Sequence, residues 1–459
     1  MSQSLIASAR FRAARDELIL AITQASSSIA QIKPAPKDSA LRENYLKSIQ
    51  EFSQERGRDL FFPFLASGLG SGSLIELADG SVKYDMITGI GVNFFGHSHP
   101  ELMAEVITAI PADIMQGNLE PGVEAKELIH AMLSRVGKGS RLKHGWLMCS
   151  GTMVNEVALK IIRQKKAPAT KILAFKDCFA GRSTAMQEIT DNAKYREGQP
   201  TYGEVSYLSF YDSALGLALS LEKTLGEMKA HLSQSPGLYA ALMMELVQGE
   251  GGFRSAPREF YVKIFEEAKR AGLAIWLDEI QTFGRTGELF AYQKMKLNEF
   301  IDVVTIGKML QACMVLFASE FNPKPGLVAG TFSGNTGTLR AAKKTLELLD
   351  RGFLGPEGRI ELLANRFVTR LEGLASGLCK GKISEIRSYG GMIGFIPLQG
   401  TMDDAKKMLM KLFDLGVIAF YCGHGPILIR LLPPLGVMTE SQVDEVCDLI
   451  GRALTEVSG

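Results

Sequence analysis

Apolar residues follow two rhythms along the chain. Between about residues 100 and 335, short unbroken apolar runs stand at Trp146–Cys149, Ile172–Phe175, Ala240–Met244, Leu273–Leu277 and Val303–Ile306. Stretches with apolar residues every three or four positions lie between them. Runs with no polar face predict strands buried on both sides, and the longer period predicts amphipathic helices. The alternation predicts an α/β fold, a mostly parallel sheet covered by helices on both faces. Residues 1 to about 57 read as polar helices broken at Pro34-Ala35-Pro36, an arm rather than a domain. Residues 73–86 read as two short strands around Asp79-Gly80, a hairpin turn pair. Gly68, Gly70 and Gly72 just before them read as a flexible turn, because a dinucleotide fingerprint would need a helix after its glycines. From about residue 338 come a helix, a polar linker, short strands and a final helix. That helix opens on Thr439-Glu440-Ser441-Gln442, a capping box.

Composition narrows the picture. The chain has 459 residues, with 51 Lys+Arg against 50 Asp+Glu. That length suits one large or two intimate domains. The balanced charge argues against nucleic-acid partners, which call for a surplus of cations. The uncharged stretch between Asp414 and Arg430 is broken by Gly, Pro and His and falls short of the roughly 20 apolar residues of a membrane span. Arg10, Arg12, Arg15 and Asp16 occupy the place of a signal peptide's apolar core. The six cysteines show no CxxC spacing, so free thiols and a cytoplasmic location are expected. Only His97 and His99 stand close together among the histidines, and no metal site is expected.

Ligands of open parallel sheets gather at the carboxyl ends of the strands, and three strand ends here carry unusual residues. The first runs into Ser150-Gly151-Thr152 and then a helix, an anion site by its outward N–H groups and dipole. Ser150 alone could be no more than a helix cap. The second runs into Asp278-Glu279. A carboxylate leaving a buried strand calls for a cationic partner, and a salt-bridged structural Asp is the alternative. The third ends at Lys308, one glycine beyond an apolar run. Desolvation there would lower the amine's pKa and make it nucleophilic, whereas a snorkelling lysine would do nothing. An anion site, a buried carboxylate and a nucleophilic lysine together meet the needs of pyridoxal phosphate.

The chain resembles the class III aminotransferases of fold type I, the ornithine, acetylornithine and 4-aminobutyrate type, from about residue 60 to 450. The resemblance rests on GIGVNFFGHSHPEL (89–102), SGTMVNEVALK (150–160), FAGRS (179–183), ELVQGEGG (245–252), LDEIQTFGRTGELFA (277–291), TIGK (305–308), GTFSGN (330–335) and LIRLLPPL (428–435), in order. It implies a helical arm (1–59), a large cofactor-binding domain (96–338), and a smaller α+β domain from 60–95 and 339–459. Lys308 matches the Schiff-base lysine and Asp278 the partner of the pyridine nitrogen. Gln281 matches the residue beside the cofactor's phenolic oxygen, and Phe179 the aromatic on its ring. Ser150, Gly151 and Thr152 match the phosphate turn, and Glu245 is counted among the cofactor-binding residues. Thr331 matches a threonine that reaches the neighbouring subunit's phosphate, so a homodimer with the active site at its interface is implied. Arg430 resembles the arginine for the substrate α-carboxylate, Glu250 its alternative partner, and Arg182 a second carboxylate-binding arginine. Ala180, Leu246, Gln311, Ala312 and Thr336 depart from the family pattern beside the substrate. The implied reaction moves the amino group of an ω-amino acid or related amine, of acetylornithine, ornithine, 4-aminobutyrate or diamine type, to 2-oxoglutarate, giving an aldehyde and glutamate. An aminomutase, racemase or decarboxylase reaction with the same cofactor, or a silent cofactor-binding protein, are the alternatives.

Overall fold

In the computed structural model, residues 2–34 and 38–457 are described. Contacts divide the chain into two units. One comprises residues 1–108, 359–421 and 425–459, the other 109–358 and 422–424.

The second unit is built on a seven-stranded sheet: β1 (Leu142–Met148), β2 (Lys171–Phe175), β3 (Val205–Leu208), β4 (Tyr239–Met244), β5 (Ala274–Asp278), β6 (Val303–Ile306) and β7 (Cys313–Ala318). Their order across the sheet is β1-β7-β6-β5-β4-β2-β3. Strands β2 to β6 pair in parallel, while β7 runs antiparallel to both β6 and β1. Every residue of β4, β5 and β6 is buried. Helix Gly151–Lys166 lays Val154, Val157, Ala158, Ile161 and Ile162 into the core, beside Trp276 and Phe317. Each such aliphatic side chain stabilises the fold by about 1.5–3 kcal/mol through burial. The same face carries one buried polar residue, Asn155.

The first unit holds two four-stranded sheets. Strands Leu74–Leu77 and Val82–Asp85 form the hairpin read from Asp79-Gly80, with Gly80 at φ +79°. Of the glycines before it, Gly72 (φ +56°) stands in the turn between Ser71 and Leu74, whereas Gly68 and Gly70 lie in a strand. Ala66–Ser71 is a strand paired with Leu74–Leu77, and a Cβ at Gly70 would lie 2.4 Å from Cβ of His97 and 2.6 Å from the Leu74 carbonyl oxygen. Close backbone approach, rather than freedom to turn, requires that glycine. The amino-terminal helices are Ser2–Ala7, Ala9–Ser26 and Ser39–Arg56; of the break read between the last two, Ala35 and Pro36 lie outside the described residues. The final helix, Glu440–Val457, has its capping box: Gln442 N–H donates to Thr439 Oγ1 (3.2 Å), and Thr439 N–H to Gln442 Oε1 (3.0 Å).

Candidate active site

The carboxyl ends of β1, β2, β4, β5 and β6 open on the same edge of the sheet, and Ser150, Phe179, Glu245, Asp278 and Lys308 follow or end these strands. At the end of β1, Ser150 caps the helix by accepting from Met153 N–H (3.2 Å). The following N–H groups of the first turn have no partner inside the helix and face an incoming anion. A Cβ at Gly151 would lie 2.9 Å from Cδ1 of Ile280. A Cβ there would push on the Ile280 side chain of the segment leaving β5.

Asp278 ends β5, opposite Thr305 of β6, and Lys308 leaves the sheet three residues further on. Asp278 is buried; its Oδ2 accepts from Asn155 Nδ2 (2.7 Å) and its Oδ1 from the Ile280 N–H (2.9 Å). Burial pushes its carboxyl up to about 6, against those two hydrogen bonds and the nearby Lys308 charge, which pull it down. Lys308 has φ +47° after an extended Gly307. A Cβ at Gly307 would meet Cys313 Sγ at 3.0 Å, so the backbone at the lysine is wedged against β7.

Glu245 follows β4 and binds two loops. Its Oε2 accepts from Phe179 N–H and its Oε1 from Gly249 N–H, each at 2.9 Å. Burial first, then the nearby Asp278 charge, push its carboxyl up to about 8. A Cβ at Gly249 would lie 2.7 Å from the Gln281 amide, and buried Gln281 Oε1 has no hydrogen-bond partner among the described residues. Glu279 points elsewhere. It accepts from Ala291 N–H (2.7 Å) and Tyr292 N–H (2.9 Å), and burial pushes it up to about 7.

Pyridoxal phosphate fits this donor set. A helix start would meet the phosphate, a buried carboxylate with two hydrogen-bond donors has capacity for a third, the buried Gln281 oxygen has no partner among the described residues, and a lysine stands at the neighbouring strand end. Phe179, half-buried four residues beyond β2, would supply the aromatic face.

The remaining candidates are placed as follows. Arg182 is exposed, three residues beyond Phe179, and Glu250 is half-buried. Thr331 is exposed, in a segment joined to residues 115–118. Arg430 lies in the first unit, wholly buried in the strand Leu428–Leu431 with its guanidinium 5.6 Å from the Phe420 ring centre. Among the departures, Thr336 has a local reason. Its N–H donates to Ile114 O (2.9 Å) and its hydroxyl to Asp113 O (2.5 Å). A proline there would lack the N–H. Asn155 was not singled out in the sequence, although an Asn on the apolar face of the helix after Ser150 was the available signal.

A loop of residues 422–424 is tied to the same unit. Gly423 N–H donates to Glu250 O (2.8 Å), and His424 Nδ1 lies 3.0 Å from Asp177, which also pairs with Arg254 at 2.6 Å. The Asp177 hydrogen bond raises the imidazole's pKa, aided by the Asp177, Asp191 and Glu250 charges. Asp177 is lowered chiefly by the His424 bond. Stabilisation through a raised histidine is full below the unfolded value of about 6.5 and fades as pH rises through the folded one. His424→Ala should therefore cost on the order of 1 kcal/mol at pH 6 and less at pH 9. Thermal midpoints of both proteins at the two pH values check this; an equal loss at both would make the contact steric.

The sheet order, the strand-end site and the fit to the cofactor define a pyridoxal-phosphate-dependent enzyme of fold type I. The class III aminotransferase family model matches residues 57–454. An acetylornithine aminotransferase of Mycolicibacterium smegmatis is 30% identical over 393 residues, covering 83% of this chain and 91% of that protein. A diaminobutyrate–2-oxoglutarate transaminase of Wolinella succinogenes is 28% identical over 418 residues, 88% of this chain and 95% of its own. The solved lysine aminotransferase of M. tuberculosis shares the fold with a TM-score of 0.78 at 22% identity, covering 89% of this chain and 99% of its own. The chain belongs to the class III aminotransferases.

Proposed function

We propose that this aminotransferase moves the amino group of an ω-amino acid or related amine to 2-oxoglutarate, giving an aldehyde and glutamate. The observation that carries the reading is Arg430. Its guanidinium is wholly buried in the strand Leu428–Leu431, and the fork of a guanidinium suits a carboxylate. The donors named in the two curated relatives, acetylornithine and diaminobutyrate, both offer an amine away from the α-carbon.

The resemblance and the chemistry assign the roles together. Ser150, Gly151 and Thr152 would hold the phosphate, Phe179 would cover the ring, and Gln281 would stand beside the phenolic oxygen. When bound, the cofactor supplies an electron sink for the pair of electrons left on the substrate carbon. Asp278 holds a proton on the ring nitrogen by its negative charge. Lys308 Nζ would take the proton from the substrate carbon as general base and deliver it to the cofactor side as general acid. Glu245 fixes the two loops that frame this site.

The resemblance gives Arg430 and Arg182 as the arginines for the two carboxylates of 2-oxoglutarate, and Glu250 as the residue that stands in for the α-carboxylate when the donor presents a terminal amine. Glu250→Ala should then lower efficiency with an ω-amine donor on the order of tenfold or more while keeping or raising it with glutamate; Arg430→Ala should do the reverse. Separate measurement of the two half-reactions checks this, and equal slowing of both by Glu250→Ala would leave Glu250 a structural residue.

A homodimer belongs to the same reading, with Thr331 reaching the neighbouring subunit's phosphate. Its support is the set of exposed apolar residues in the segments joined at Thr331, where Ile114, Leu119 and Phe332 are all more than 60% exposed. Several large apolar side chains left in solvent on joined segments point to a partner. A cytoplasmic enzyme is the companion reading; among the described residues no helix is long and apolar enough to cross a membrane. The deciding experiment screens amines with purified holoenzyme and 2-oxoglutarate, following glutamate and the cofactor's absorption. Turnover without any keto acid would favour an isomerase or decarboxylase, and an unchanging spectrum with every amine would favour a silent protein.

A further inference from the structure

We propose that Tyr195 is a positioning residue that sets the Arg182 guanidinium for the far carboxylate of a dicarboxylic keto acid. The inference rests on the reading of Arg182 as a carboxylate-binding arginine.

Tyr195 stands in a short turn, Ala193–Arg196, and touches two candidate residues at once. Its ring lies edge-on to Phe179, with centres 6.2 Å apart and planes at 90°. The Arg182 guanidinium carbon sits over its face, 4.1 Å from the ring centre. The aromatic expected on the cofactor and the arginine expected on the substrate are therefore both braced by one ring.

The surrounding backbone holds that ring in place. Asn192 Oδ1 accepts from Lys194 N–H (3.1 Å), and Tyr195 N–H donates to Asn192 O (3.1 Å). Arg196 donates to Thr190 O (2.9 Å) and to the Tyr207 hydroxyl (3.1 Å). Thr190 Oγ1 accepts from Ala180 N–H (2.9 Å) and Gly181 N–H (3.3 Å), and donates to Gly181 O (3.0 Å). Residues 180–181 and 190–196 are thus two sides of one hydrogen-bonded loop. Gly181 has φ +131°, and a Cβ there would lie 2.6 Å from Thr152 Oγ1, so this backbone also abuts the phosphate turn. Arg182 leaves from a fixed point.

Its side chain is exposed, and a long arginine has about 2 kcal/mol of rotamer entropy to lose when it binds. The aromatic face restrains it beforehand. A guanidinium lying over a ring keeps its N–H donors in its own plane, where they fork a carboxylate. Pre-ordering an arginine in this way favours 2-oxoglutarate, which has a second carboxylate. Pyruvate, which has none, gains nothing from it.

The test is the ratio of kcat/KM for 2-oxoglutarate to that for pyruvate, measured in the amino-acceptor half-reaction of holoenzyme. Tyr195→Ala should lower the ratio about fivefold, mainly through KM for 2-oxoglutarate. Tyr195→Phe keeps the ring face and should recover most of the difference. Three results overturn the proposal: an unchanged ratio in Tyr195→Ala, an equal loss with both keto acids, or a loss in Tyr195→Phe as large as in the alanine variant. Arg182→Ala separates this inference from its premise. If that variant lowers the ratio and Tyr195→Ala does not, the Tyr195 role alone fails; if Arg182→Ala leaves the ratio unaltered, the reading of Arg182 fails and this inference with it.

Discussion

Lys308→Ala should lower transamination on the order of 10⁴-fold or more while leaving the protein folded. General acid–base transfer alone accounts for about 10²–10⁴, and the same change removes the amine that binds the cofactor covalently. Alanine keeps the backbone conformation at this position. Lys308 already carries a Cβ at φ +47°, wedged between Gly307 and the turn to β7, and alanine inherits the same strain. Borohydride reduction of holoenzyme followed by peptide mapping should find the cofactor on Lys308. A tagged peptide carrying another lysine would overturn the assignment, and a fall in thermal midpoint matching the loss of activity would make Lys308 structural.

The placement of that lysine was legible because its strand is so plain. Val303–Ile306 is apolar, short and bounded, and it is a fully buried strand. The same pattern located β2, β4 and β5 within a residue or so. Two strands of the seven-stranded sheet were missed, for different reasons. Val205–Leu208 is an edge strand that keeps three residues partly exposed, so its run is not continuously apolar. Cys313–Ala318 is apolar, but it follows Ile306 by too few residues for a parallel crossover of about a dozen residues. A tight antiparallel return is what that gap demands, and attention to the gap would have shown it.

Chemistry at strand ends was similarly uneven. Asp278 and Lys308 announce themselves by standing where apolar runs stop. Asn155 does not: it is a polar residue inside a helix, and only the fold brings it 2.7 Å from Asp278 across 123 residues of chain. Glu245 sits next to an apolar run as Asp278 does, yet its two backbone partners, Phe179 and Gly249, come from separate loops that no spacing rule connects. Tyr195 is further from recognition still, since an aromatic in a polar turn gives no sign of lying between an arginine and a phenylalanine. Residues that act by contact across the sheet edge are the ones a linear reading loses.

Asp278 carries the second large expectation. Asp278→Ala should lose on the order of 10³-fold in turnover, the scale seen when a buried electrostatic partner is removed from a reacting centre. Asp278→Asn should fail nearly as badly, because it keeps the shape but loses the charge. Wild-type cofactor affinity should also depend on pH in a definite direction. Burial holds the Asp278 carboxyl near 6 in the protein alone, so below that value the proton sits on the carboxylate and the ring nitrogen loses its anionic partner. Affinity should fall as pH drops from 7 to 5, by up to about tenfold per unit below 6. The asparagine variant should lack this component of the pH dependence, which separates it from titration of the phosphate or of Lys308. Cofactor titrations of both proteins across that range, read by fluorescence, supply the comparison. Near-normal turnover in Asp278→Asn, or parallel pH curves for the two proteins, would reduce Asp278 to a structural carboxylate held by Asn155.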